Sequence, residues 1–72
     1  MKFMNEREIK IKLNQWITEM KIFNIPQLLI SINGVYFWTD RIVYDDEHCW
    51  LYLNKILIGF VNLNDIHFLE KY

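Results

Sequence analysis

The spacing of apolar positions changes once along the chain, near Asn24-Ile25-Pro26. Before that point the period is helical. At about 100° per residue, Ile9, Leu13, Trp16, Ile17, Met20 and Phe23 fall on one stripe. This predicts an amphipathic helix over 6–23. Asn5 is a good N-cap, because its side-chain oxygen can accept from an orphan backbone N–H, and Glu8 three residues on completes a capping-box spacing. Met4 and Ile9 stand at hydrophobic-staple spacing. Glu6 with Lys10 and Glu8 with Lys12 form favourable i,i+4 pairs. Lys21 suits the negative end of the helix dipole. Asn24 can adopt the left-handed cap, and Pro26 forbids continuation.

After Pro26 the period becomes two. Strands are predicted over 28–32, 35–44 (bent near Asp40), 48–53, 56–61 and 66–70. Asn33-Gly34 is a strong hairpin signal, since both residues tolerate the positive φ of a type I′ turn. Asp45-Asp46-Glu47 reads as a polar turn, Asn54-Lys55 as a second tight turn, and Asn62-Leu63-Asn64-Asp65 as a break. The expected fold class is α+β: one domain over 1–72, with an N-terminal amphipathic helix packed on a curved four- to five-stranded antiparallel meander, like a small barrel.

Strand side chains alternate between faces, and here both faces read as apolar. Cys49, Leu51 and Leu53 share one parity; Trp50 and Tyr52 share the other. Tyr36 and Trp38 oppose Val35 and Phe37. One helix covers about one face of a small sheet. The sheet then either curls into a small barrel or buries its second face, with Tyr36, Trp38, Trp50 and Tyr52, against another molecule. Rings with one apolar and one wet end also suit the rim of a barrel.

Composition bounds the function. Of the 72 residues 53% are apolar and 17% aromatic, with two glycines, one proline and one cysteine, which excludes a disordered tail, a collagen-like repeat and a disulfide scaffold. No apolar run reaches the ~20 residues that span a bilayer. The net charge of −1, with scattered basic residues, disfavours duplex binding and membrane-surface binding by a monomer. A lone cysteine, and an opening Met1-Lys2-Phe3-Met4-Asn5-Glu6 without a signal-peptide core, lead to the expectation of a cytoplasmic protein. Eleven isoleucines, seven asparagines and no alanine are the usage of an AT-rich genome.

Candidate chemistry is sparse. Asp45-Asp46-Glu47-His48 could hold a divalent cation or present an acidic patch to a basic partner, but it has no EF-hand spacing, and Asp is a preferred turn residue. His48 and Cys49 are adjacent in a strand and so point to opposite faces, which separates a thiol from its base. Two histidines and one cysteine cannot make a structural zinc set. There is no phosphate-binding glycine loop and no nucleophile elbow around Ser31, the sole serine. No catalytic residue, metal or cofactor is expected.

A helix followed by five short strands resembles the Sm-like fold. Ile32-Asn33-Gly34-Val35-Tyr36-Phe37, with Tyr44-Asp45 following, looks like the first motif of that family, and Leu63-Asn64-Asp65-Ile66 could stand where its second motif falls. The chain departs from the pattern at Thr39, where a glycine is expected, and at Arg41, where an apolar residue is expected. The family's basic Tyr-Lys-His RNA contacts are absent. The resemblance implies a ring oligomer binding single-stranded RNA, with Tyr36, Trp38, Trp50 and Tyr52 as stacking platforms.

The leading expectation is a small non-enzymatic protein-binding module. Its partner-binding residues would be Tyr36, Trp38, Trp50 and Tyr52 with Asp45, Asp46 and Glu47, and its partner another protein or copies of itself. Tiny size and AT-rich usage make a mobile-element product the concrete form: a phage-encoded inhibitor of a host defence or regulatory protein, of the anti-CRISPR kind. The alternative is the Sm-like RNA-binding ring.

Overall fold

The computed structural model describes residues 4–72; Met1-Lys2-Phe3, part of the opening in which the sequence shows no signal-peptide core, lie outside the described residues. The elements are α1 (Glu6–Ile22), β1 (Leu28–Ile32), β2 (Val35–Thr39), β3 (Arg41–Tyr44), β4 (His48–Leu53), β5 (Ile56–Asn62), a 3-10 turn (Leu63–Asp65) and β6 (Leu69–Lys71).

The helix forms as its pattern dictates. The Asn5 side chain accepts from Glu8 N–H at 2.9 Å, and its carboxamide donates to Glu8 Oε1 at 3.2 Å. Ile9, Leu13 and Trp16 are buried, with Ile17 and Met20 packed on the margin of the core. Each fully buried side chain of this size contributes about 1.5–3 kcal/mol. Phe23 departs from the expectation. It is the C-cap rather than a member of the buried stripe, and Asn24 then turns left-handed at φ 51°, which carries the Phe23 ring into solvent.

The strands form two antiparallel three-stranded sheets, ordered β2-β1-β6 and β3-β4-β5, in place of the expected curved four- to five-stranded meander, and among the described residues no closed barrel forms. The switch between sheets lies at Thr39-Asp40, inside the stretch expected as a single bent strand. Asp40 N–H donates to the Tyr52 carbonyl at 3.0 Å, and its carboxylate accepts from Asn54 N–H at 2.9 Å. The Thr39 hydroxyl is fully buried between the carbonyls of Tyr52 (2.7 Å) and Arg41 (3.0 Å). These bonds satisfy the backbone where the ladder changes partner, which a buried polar group requires.

The last strand also differs from the expected 66–70. The chain makes a 3-10 turn, buries Leu63 and Ile66 in the core, and pairs Leu69–Lys71 with β1. Asn33 explains the delay. It opens the hairpin turn at φ 52°, with Gly34 at φ 83°. Its carboxamide also donates to the Asp65 carbonyl (2.7 Å) and accepts from the N–H groups of His67 (2.7 Å) and Phe68 (3.1 Å). Residues 65–68 are thus held as a loop on the turn.

The core lies where the helix and the inner faces of both sheets meet: Ile9, Leu13 and Trp16; Leu28, Ile30 and Ile32; Ile42, Cys49 and Leu51; Leu63, Ile66 and Leu69. The sheets approach closely at Gly59, where a Cβ would lie 3.1 Å from the Phe37 ring and 3.2 Å from Leu51 Cδ1.

Candidate functional site

The four aromatic residues marked by the sequence do not share one face. Pairing of Tyr36 with Ser31 and of Trp38 with Leu29 puts both rings on the outer face of the first sheet. Tyr36 is 60% exposed and Trp38 53%. The Tyr36 ring has a ring neighbour in Tyr72, centroids 5.3 Å apart.

Trp50 and Tyr52 lie on the outer face of the second sheet. Trp50 stands between Val43 and Phe60, and Tyr52 between Arg41 and Leu57. His48 stacks on Phe60 at 5.4 Å, and Trp50 meets both rings at 5.6 and 5.7 Å. The Arg41 guanidinium sits 5.8 Å from the Tyr52 ring centroid, within cation–π reach. Each outer face therefore carries its own aromatic group.

The acidic turn divides its labour. Asp45 accepts from the N–H groups of Glu47 (2.8 Å) and His48 (2.7 Å), which closes the β3–β4 hairpin. Those N–H bonds, Glu47 first and then His48, hold its carboxyl below the usual range. Asp46, 97% exposed at its side chain, pairs with Lys10 of the helix at 3.0 Å. That hydrogen bond raises the lysine above its ordinary value. Glu47 lines an open polar cleft of about 450 Å3 with Glu6, His48, Asn62 and Asn64. Among the described residues no group of three or more His, Cys, Asp or Glu side chains converges as a metal site.

Groups with nucleophilic chemistry stand apart from bases. Cys49 is buried in the core, and burial pushes its thiol up to about 12. His48, its neighbour, faces outward with its Nδ1 3.4 Å from Asp45 Oδ1. Ser31 is buried within β1.

The candidate site residues read from the sequence leave out β5, although its strand reads as apolar on both faces. Ile56 (65% exposed), Leu57 (50%) and Ile58 (37%) are three consecutive open apolar residues, and Phe60 (55%) follows. A register shift between Leu51 and Tyr52 leaves Ile58 as the unmatched residue of a β-bulge. The signal was available: an apolar run after a tight turn, with no charge between Lys55 and Asp65. Runs of three exposed apolar residues need a functional reason. Among the described residues no helix is long and apolar enough to cross a membrane. No family model, no curated protein and no solved structure matches this chain.

Proposed function

We propose that the chain is a non-enzymatic protein-binding module that works by presenting apolar and aromatic sheet surface to another macromolecule. The observation that carries this reading is the amount of large apolar side chain left open on the sheets: Ile56, Leu57, Ile58 and Phe60 on β5, and Val35, Tyr36 and Trp38 on β2. Contiguous exposed apolar surface of this kind marks interaction sites. Aromatic residues and Arg are enriched in interface cores, which fits Trp50, Phe60 and the Arg41–Tyr52 pair beside them. Asp45, Asp46 and Glu47 form an acidic margin that favours a partner with basic residues at its rim. Small size and AT-rich usage suit a mobile-element inhibitor that occludes the surface of a host protein. The separation of Cys49, His48 and Ser31 supports a role without catalysis.

Affinity capture from a low-GC bacterial host, with wild type compared against a Trp38→Ser, Trp50→Ser variant, tests the reading. The expected result is a protein retained by wild type and lost by the variant, while circular dichroism shows both folded. Identical retained sets would overturn it.

A second reading, the Sm-like ring, draws on element order: a helix, a strand path that switches sheets at Asp40, a 3-10 turn and a last strand returning to β1. It requires a closed ring in light scattering, and binding of single-stranded RNA that weakens with salt.

A further inference from the structure

The outer face of the second sheet follows from its register. On β3 the outward residues are Arg41 and Val43, beside Tyr52 and Trp50 of β4, with Phe60 of β5 on the far side of Trp50. The alternation carries on to Asp45. Its N–H donates to the His48 carbonyl at 3.0 Å, and its carboxylate lies 3.4 Å from His48 Nδ1. The face therefore has three rows: Arg41 with Tyr52, then Val43 with Trp50 and Phe60, then Asp45 with His48. The helix and the first sheet meet this sheet on its other side, where Cys49, Leu51 and Gly59 lie.

Both end charges are open to a partner. Arg41 is exposed and rests on the Tyr52 ring, with no carboxylate in ion-pair reach among the described residues. The Asp45 side chain is 55% exposed and accepts from two N–H groups of its own turn, with no Lys or Arg beside it. This charge pattern is antisymmetric about the middle row. Arg41 and Asp45 stand two residues to either side of Val43 on one strand, and Tyr52 and His48 two residues to either side of Trp50. A two-fold axis lying along the middle row, across the strands, brings cation onto acid and ring onto ring. An axis along the strands instead sets Arg41 opposite Leu57 and Asp45 opposite Asn62, which leaves both charges without a counterpart. The outer face of the first sheet has no such pattern. Its strands turn Glu70 outward beside Ser31, and their single cation, Lys71, is held by Glu19 of the helix at 2.6 Å.

We propose that the outer face of the second sheet is the contact surface of a homodimer: two copies stack face to face with strands antiparallel, Trp50 near Trp50, and Arg41 of each copy over Asp45 of the other. Sheets packed in this way lie about 10 Å apart and within about 30° of alignment, a gap that the long arginine side chain bridges. The aromatic middle row supplies the buried centre and the two ion pairs the rim. Such an interface is isologous and closes at two copies. Three strands wide and three rows deep, the patch measures about 15 by 20 Å. That is below the ~800 Å2 per partner of stable complexes, so the dimer is a weak one.

This inference rests on the protein-binding reading and names the partner as a second copy; its test separates the two. Analytical ultracentrifugation of the full chain runs from about 10 µM to about 1 mM, the range suited to a small interface. The expected result is a reversible dimer. Phe60→Lys sets like charges together near the axis and is expected to weaken it at least tenfold, with Cys49 still protected from thiol reagents as the sign of an intact fold. Trp38→Ser, on the other sheet, is expected to leave it unchanged. Arg41→Gln and Asp45→Asn, the latter keeping the oxygen that caps the turn, are each expected to weaken it at least threefold. The two together are expected to weaken it no more than either alone. Within one chain these residues lie about 13 Å apart, so that coupling reports contact between copies. A wild-type monomer across the whole range overturns the dimer while leaving the capture experiment to decide the broader reading. A larger assembly, a dimer indifferent to Phe60→Lys, or Arg41 and Asp45 losses that simply add overturns it as well.

Discussion

β1 and β5 are alike in composition and opposite in fate. Leu28–Ile32 and Ile56–Asn62 are both apolar strands entered or left through a tight turn. β1 lies between β2 and β6, with one face on the core and Ser31 of the other face also buried, whereas β5 ends its sheet and stays largely open. What separates them is the number of neighbours. A strand paired on both sides surrenders its surface to the fold, and an edge strand of the same hydrophobicity keeps it for something else. Apolar sequence therefore marks surface that needs cover, and topology decides whether the same chain supplies it.

The sharpest way to break this contrast is truncation at matched positions. Ile30→Ala, at a fully buried site, is expected to cost about 2–5 kcal/mol in denaturant unfolding. Ile56→Ala, measured where the chain is dilute, is expected to stay within about 0.5 kcal/mol. Equal losses would mean that β5 is as integral to the monomer as β1.

Asn33→Gly comes next. It keeps the positive-φ turn but removes the carboxamide bonds to residues 65–68, so β1 loses the support that holds β6 at its side. A loss of about 1–2 kcal/mol is expected, with exchange at Leu69–Lys71 accelerating more than exchange in β4. Thr39→Val removes the buried hydroxyl at the passage between sheets and is expected to cost about 1 kcal/mol, read from the thermal midpoint.

For Cys49, burial raises the thiol from 9.0 to about 12. The folded state then holds its proton over a window where the unfolded chain has released it, so stability declines as pH climbs from about 9 towards 12. A Cys49→Ser comparison in pH-dependent unfolding isolates that slope; an identical decline in the serine variant would assign it to other groups. The smallest effect is Lys10→Met. Its partner Asp46 is almost wholly in solvent, and such pairs are screened, so the thermal midpoint is expected not to move measurably.

Local features were the legible part of the sequence. The helix, its Asn5 cap, the left-handed Asn24 and the Asn33-Gly34 turn depend on neighbours a few residues apart, and each stands where its chemistry put it. Alternation in β4 gave the inward Cys49 and Leu51 and the outward Trp50. The change of partner at Thr39-Asp40 was not legible beyond a bend, because it is fixed by carbonyls of Tyr52 and Arg41 whose positions exist only after folding. For the same reason the sequence placed Tyr36 and Trp38 with Trp50 and Tyr52. Parity within a strand says which side chains agree, and says nothing of which sheet the strand has joined. β6 slipped from 66–70 to Leu69–Lys71 because an asparagine read as a turn former also holds a loop more than thirty residues away.

That asparagine ties early events to late ones. A two-residue reverse turn closes within microseconds, whereas bringing residues 65–68 back to it must first meet the entropy of a loop more than thirty residues long. The chain end is therefore expected to be the last piece to acquire protection in pulse-labelling during refolding, arriving at a docking point assembled well before it.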